Sequence, residues 1–250
     1  MRPFARETGT GGETVALLHG FAGSHAVWRE VEPILAKSFR VIAYDLPGHG
    51  NSHPWADKYS PGATAKVLLA DLAERGLDRV HIAGHSMGGA IAMLMALEQP
   101  QRFASMTLFA PGGFGPEINA RLLRRHAEAK TAAEVRATLE AMTGWQTPVP
   151  DEQVEHEVTL RAREGQTDAF AVLAKAIMRD DQQGAIPRER MAELNMPVSV
   201  AWGTIDNVLP VAHASDLPNG FSVRVLPNVG HMLPLEVPDF AARLVETTAR

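Results

Sequence analysis

The 250-residue sequence contains no cysteine, which excludes disulfides, thiolate zinc sites and a cysteine nucleophile. It also lacks a long run of one charge sign. The balance of 24 basic against 29 acidic residues gives a net charge of −5, so there is no basic footprint for a phosphate backbone and nucleic acid is not an expected partner. No apolar run approaches the roughly 18 residues of a membrane span. The first residues, Met1 to Gly12, are polar and glycine-rich, without the apolar centre of a signal peptide. These absences lead to the expectation of a cytoplasmic protein with no membrane contact. Nothing in the sequence calls for a metal or a cofactor. The shares of 45% hydrophobic and 21% charged residues are those of an ordinary globular chain, and the length suits one core with an insertion.

Thr14 to Leu18 and Phe39 to Tyr44 read as solid apolar strands, with a helical pattern over Trp28 to Lys37 between them. A turn-rich stretch, Asp45 to Ser60, follows. Gly62 to Glu74 has helical spacing, Val80 to Ala83 is a buried strand, Gly88 to Glu98 a helix and Met106 to Ala110 a strand. Strands that are apolar throughout and alternate with helices argue for an α/β fold with a mostly parallel sheet covered on both faces. From Pro116 to about Glu193 only helical patterns appear, over Ile118 to Lys130, Ala132 to Met142, Asp151 to Glu164 and Asp168 to Met178. Strands return at Pro197 to Trp202 and Val223 to Leu226, and Val237 to Thr248 closes the chain as an amphipathic helix. The expected organisation is a core of residues 1–113 and 196–250 with a helical cap of residues 114–195.

The chemistry is concentrated in Gly84-His85-Ser86-Met87-Gly88, a G-x-S-x-G between a buried strand and a helix. A turn this sharp strains the serine backbone and projects its hydroxyl, while the glycines leave room for neighbouring backbone. Ser86 would then stand at a helix N-terminus, where free N–H groups favour negative charge. A serine hydroxyl needs a base, itself oriented by a third group. His231, in the loop Asn228 to Met232, is the candidate base. Asp206, just past the strand ending at Trp202, is the candidate acid, ahead of Asp216 and the pair Asp180-Asp181. All three would lie on loops at the carboxyl edge of the sheet, where open α/β sheets bind ligands. An oxyanion hole would draw one backbone N–H from Met87 and one from Phe21 in His19-Gly20-Phe21-Ala22-Gly23. His19 and His49, the latter in the turn Asp45 to Ser52, are assigned bracing rather than catalysis.

With H-G-F at 19–21, D-L-P-G-H-G-N-S at 45–52, G-H-S-M-G-G at 84–89, W-G-T-I-D at 202–206 and G-H at 230–231 in order, the chain resembles the α/β-hydrolase superfamily over essentially its whole length. The resemblance implies about eight strands with a helical cap between the sixth and seventh, Ser86 as nucleophile, Asp206 as acid, His231 as base, and Phe21 and Met87 as oxyanion donors. Only Pro3 to Thr8 precede the first strong strand, so the family's usual first strand is expected to be missing, leaving seven. The stretch Leu108 to Asn119 looks like the hydrolase-like domain of the acyltransferase subunit in bacterial acetoin dehydrogenase complexes. That subunit carries a lipoyl domain that this sequence does not, which makes hydrolysis by water the simpler expectation. Relatives that cleave haloalkanes or epoxides place aspartate at the elbow, where this chain has Ser86. Carbon-carbon bond hydrolases usually show H-G-x-G-P-G and a tryptophan after the histidine, where this chain has His19 to Ser24 and Met232.

The leading expectation is a serine hydrolase that cleaves a carboxylic ester, or a related small acyl compound, through an acyl-enzyme. Carbon-carbon or lactone hydrolysis by the same residues is the alternative, and a silent hydrolase-like binding protein the reading from another class. The partner is a small-molecule substrate, with a homodimer left open. A mostly apolar pocket is expected, with Phe114, Leu139, Met142, Trp145, Phe170, Met178, Val208, Leu209 and Met232 as its candidate walls.

Overall fold

The computed structural model describes residues 1–56 and 60–250; positions 57–59 of the turn-rich stretch lie outside the described residues. Strands β1 (Ala5–Thr8), β2 (Thr14–Leu18), β3 (Arg40–Tyr44), β4 (Val80–His85) and β5 (Phe103–Phe109) alternate with helices α1 (Glu32–Leu35), α2 (Pro61–Glu74) and α3 (Met87–Glu98). An inserted segment then carries α4 (Ala120–Glu128), α5 (Ala132–Met142), α6 (Asp151–Arg161), α7 (Gln166–Ile177), the two-residue strands β6 (Met178–Arg179) and β7 (Gln182–Gln183), and α8 (Arg188–Met191). The chain returns through β8 (Val198–Gly203), β9 (Phe221–Leu226), α9 (Leu233–Glu236) and α10 (Pro238–Ala249).

Seven strands form the main sheet in the order β1-β3-β2-β4-β5-β8-β9. Every pairing is parallel except that of β1 with β3. The architecture is the α/β-hydrolase fold, with the seven strands expected; residues 5–8 supply the antiparallel edge. Strands β2, β4 and β8 are buried at every position, as a sheet covered on both faces requires. Edge strand β9 has no fully buried residue. Helix α3 packs against α2 and β4.

Two local readings change. The pattern over Trp28 to Lys37 is not one helix but a 3-10 turn, His25–Trp28, followed by the four-residue α1. Pro33 has no N–H and its ring would clash with the carbonyl of Arg29 in a continuous helix; in the first turn of α1 it costs nothing. The insertion is not purely helical. The pattern read through Met178 stops at Ile177, and Met178 opens a hairpin that turns at Asp180, whose φ is +55°. A two-residue strand is too short to leave a period in the sequence.

Candidate active site

Ser86 joins β4 to α3 with φ +52° and ψ −118°, a conformation that costs a non-glycine residue on the order of 1–3 kcal/mol. The surroundings hold it there. Its amide donates to the Phe109 carbonyl (2.9 Å), and its carbonyl accepts from the amides of Gly89, Ala90 and Gly112 (2.9, 3.2 and 2.9 Å). The two flanking glycines are required by close approach. A Cβ on Gly84 would stand 2.4 Å from the Gly88 carbonyl oxygen, and one on Gly88 would stand 2.3 Å from that of Leu18.

Past the end of β8, Asp206 Oδ1 accepts the amides of Val208 (2.8 Å) and Leu209 (2.9 Å), and Oδ2 lies 2.8 Å from His231 Nδ1. The carboxylate can only accept, so Nδ1 carries the proton and Nε2 presents its lone pair. Both side chains are buried. Ser86 and His231 share the wall of one cavity, although among the described residues no hydrogen bond joins them. Such contacts often tighten only when substrate is present. The rival acids lie elsewhere: Asp181 faces Arg124 and Asp216 lies in the field of Arg188.

The backbone around His231 is held from several directions. Its amide donates to Met142 at the end of α5 (2.8 Å), and its carbonyl accepts from His85 Nε2 (2.9 Å). The Glu236 carboxylate accepts the amides of Gly230 (2.8 Å), Met232 (2.9 Å) and, from the insertion, Gly144 (2.7 Å). Sequence reasoning missed Glu236 and His85. Their partners are backbone groups, which no side-chain pattern announces.

In the loop after β2 and at the start of α3, the amides of Phe21 and Met87 donate to no protein acceptor among the described residues. The Phe21 loop turns at Ala22, φ +55°, and two histidines brace it against the turn that follows β3. His49 Nε2 accepts the Ala22 amide (3.2 Å), while His19 Nε2 accepts the Leu46 amide (3.0 Å) and His19 Nδ1 donates to the Gly20 carbonyl (2.7 Å). Accepting at Nε2 requires neutral rings. Burial enforces this, depressing His19 to about 4 and His49 to about 3. Burial likewise pushes His85 well below the ordinary histidine value.

Ser86 stands between two cavities. The wider, of about 290 Å³, is walled by Met87, Ala90 and Leu94 of α3 together with Ile118, Ile177 and Ile186. The tighter, of about 20 Å³, lies beside His231 and is walled in part by His126, Gln153 and Glu157 of the insertion. Phe21 touches both. Of the expected pocket residues, Leu209 lines the wide cavity, and Leu139, Met142 and Met232 line the tight one. The others line neither. Trp145 is 78% exposed, Phe170 is buried against Phe21 and His49, and Phe114 is buried against Trp202. Met178 and Val208 are buried away from both cavities. No helix among the described residues is long and apolar enough to cross a membrane.

Comparison with known proteins agrees with this fold. A family profile described as alpha/beta hydrolase fold matches residues 13–238. The chain is 33% identical over 242 residues to the dihydrolipoyllysine-residue acetyltransferase component of the acetoin cleaving system of Cupriavidus necator, covering 96% of this chain and 64% of that one. It thus spans less than two thirds of that relative's length. It is 29% identical over 223 residues to a 2-hydroxy-6-oxononadienedioate/2-hydroxy-6-oxononatrienedioate hydrolase of Cupriavidus pinatubonensis, covering 84% and 76% of the two chains. The solved structure of a meta-cleavage product hydrolase from Pseudomonas fluorescens superposes with a TM-score of 0.87 at 23% identity, covering 98% and 93%.

Proposed function

The chain belongs to the α/β-hydrolase fold family, and on that premise we propose that it is a serine hydrolase cleaving a carboxylic ester through an acyl-enzyme. The observation that carries the reading is the 2.8 Å Asp206–His231 pair beside a strained elbow serine. His231 Nε2 takes the proton of Ser86 Oγ as the oxygen attacks the carbonyl carbon. The oxyanion receives the amides of Phe21 and Met87, which have no acceptor among the described residues. His231 then delivers the proton to the leaving oxygen, and Asp206 stabilises the imidazolium. Water reverses the sequence and frees the acid. Residues 114–195 act as a cap that closes over the site.

Two further readings have specific support. The relative at 29% identity is named a hydrolase of a dienedioate, which favours carbon-carbon cleavage by the same residues. Against it, among the described residues neither cavity wall carries a lysine or arginine to meet a substrate carboxylate. The relative at 33% identity is named an acetyltransferase, and a thiol acceptor in place of water would use the same acyl-enzyme.

The deciding experiment compares ester hydrolysis and fluorophosphonate labelling for the natural chain and Ser86→Ala. Ester turnover should fall by roughly a million-fold and labelling should vanish. Ester turnover unaltered by the substitution overturns the assignment. Rapid cleavage of a ring-fission diketone with weak ester turnover promotes the carbon-carbon reading, and acceleration by dihydrolipoamide promotes acyl transfer.

A further inference from the structure

We propose that the two cavities sort the ester: an unbranched apolar acyl chain runs along α3, and a small alcohol bearing a second hydroxyl sits between His231 and the Gln153–Glu157 pair. The inference rests on the ester-hydrolase reading.

Orientation follows from proton delivery. The acid that protonates the leaving oxygen must reach it, so the alcohol occupies the side that His231 walls. His231 lines the tight cavity and is absent from the wall of the wide one. The acyl chain therefore takes the wide side. During acylation the Ser86 Oγ–carbonyl bond forms, the bond from the carbonyl carbon to the alcohol oxygen breaks, and the serine proton leaves with the alcohol. Water then cleaves the Ser86 ester and the acid departs.

The shape of the wide cavity fits a linear chain. Ser86, Ala90 and Leu94 lie four residues apart on one face of α3, so the cavity follows the helix for about 12 Å at 1.5 Å per residue. Its bore exists because Ala90, Gly112 and Gly113 carry so little there, while Ile118, Ile177 and Ile186 make the remaining wall apolar. At Leu94 the wall is shared with surface depressions beside Glu98, so Leu94 marks the far end of the path.

The tight cavity has different chemistry. At about 20 Å³ it has room for roughly one water, so only a few heavy atoms fit without movement of the insertion. Its wall holds a buried carboxyl group. Glu157 Oε1 accepts from Gln153 Nε2 (3.0 Å). Oε2 lies 2.9 Å from Arg161 Nη1 but off the line of a hydrogen bond, and among the described residues it accepts none. Oε2 is charge-paired with Arg161 yet makes no hydrogen bond among the described residues, so it can still accept from a ligand that donates, and a hydroxyl on a short alcohol is such a donor.

Two isomeric esters test the assignment: 2-hydroxyethyl octanoate, with the long chain on the acyl side, and octyl hydroxyacetate, with it on the alcohol side. The first should be hydrolysed with at least tenfold higher kcat/KM; equality or reversal overturns the orientation. Propyl octanoate, which replaces the hydroxyl by a methyl, should be about tenfold poorer than the hydroxyethyl ester, and equal turnover overturns the polar alcohol side. Ala90→Leu should lower the octanoate-to-butanoate rate ratio, as should Leu94→Phe at the half-buried far end if Ala90→Leu fails to fold; unchanged ratios overturn the chain path. Fluorophosphonate labelling of Ser86 with turnover of neither isomer overturns this substrate class alone, whereas loss of labelling removes the ester reading beneath it.

Discussion

The amide of His231 donates to the carbonyl of Met142 across 2.8 Å, so the last residue of α5 in the insertion holds the loop that carries the candidate base. The position of the imidazole is therefore a joint property of the sheet, which supplies Asp206, and of the insertion, which supplies Met142 and Gly144. Glu236 closes the arrangement by accepting one amide from the insertion and two from the histidine loop.

Replacing Glu236 by glutamine leaves one acceptor oxygen for three amides and turns an NH2 group toward them. The loop should loosen while the cavities keep their walls. Steady-state kinetics should show kcat reduced about a hundredfold, the scale of a 1 Å misplacement, with KM changed much less, and denaturant unfolding should show a loss of about 1–3 kcal/mol. An unchanged kcat would mean that Met142 and His85 position His231 unaided.

The elbow glycines predict a sharper loss. A Cβ on Gly88 would stand 2.3 Å from the Leu18 carbonyl oxygen and 2.5 Å from that of His19; both are backbone atoms at the end of a central strand and cannot swing aside. Gly88→Ala should separate β2 from α3, shifting the Met87 amide relative to Ser86. Fluorophosphonate labelling should slow by a hundredfold or more, on the scale of losing one oxyanion donor. A variant labelled at the natural rate would show that the contact can relax.

The sequence made the sheet legible because buried parallel strands are mostly apolar, as in Thr14–Leu18 and Val80–Ala83, and the elbow because strand, G-x-S-x-G and helix occur without a gap. The order of Ser86, Asp206 and His231 along the chain was legible as well, and the structure places the last two in contact. Pocket walls were legible only in part: Leu139, Met142, Leu209 and Met232 line the cavities, and the other five expected residues do not. Helical spacing tells which face is buried but not against what, so Phe170 turned out to pack on Phe21 and His49, and Trp145 to face solvent. The bore of the wide cavity is opened by small residues, Ala90 and Gly113 among them, and space left by an absence of bulk gives no hydrophobic signal. Glu236 carried no mark because its partners are amides.

The buried pair Arg161–Glu157 predicts asymmetric mutational costs. Both side chains are at most 3% exposed, Arg161 lies over the Phe170 ring at 5.4 Å, and its Nη2 approaches His126 Nε2 at 3.1 Å. Arg161→Met alone leaves the Glu157 carboxylate buried without its cation, and breaking such a pair costs about 3–5 kcal/mol. Adding Glu157→Leu removes the stranded charge and should restore most of that stability in chemical denaturation. A double variant no more stable than the single one would show that packing, rather than the uncompensated charge, sets the cost.

Buried neutral histidines predict how stability responds to acid. His49 is depressed to about 3 and His19 to about 4, in both cases chiefly by burial, against an ordinary value near 6.5. Below that value the unfolded chain binds protons at these positions and the folded chain does not, so the folded state loses stability as pH falls from about 6.5 toward 4 and then 3. Burial pushes His85 and His126 in the same direction, while Glu32 and Glu157, raised by burial, oppose it. Between pH 7 and pH 5, His49 alone accounts for about 2 kcal/mol of the loss, at 1.36 kcal/mol per pH unit. His49→Gln keeps an acceptor for the Ala22 amide but has no proton to bind. Urea unfolding at the two pH values should therefore show a drop smaller by about 2 kcal/mol in the variant. Equal drops would mean that His49 takes up its proton in the folded protein, and hence that its bond to the Ala22 amide opens in mild acid.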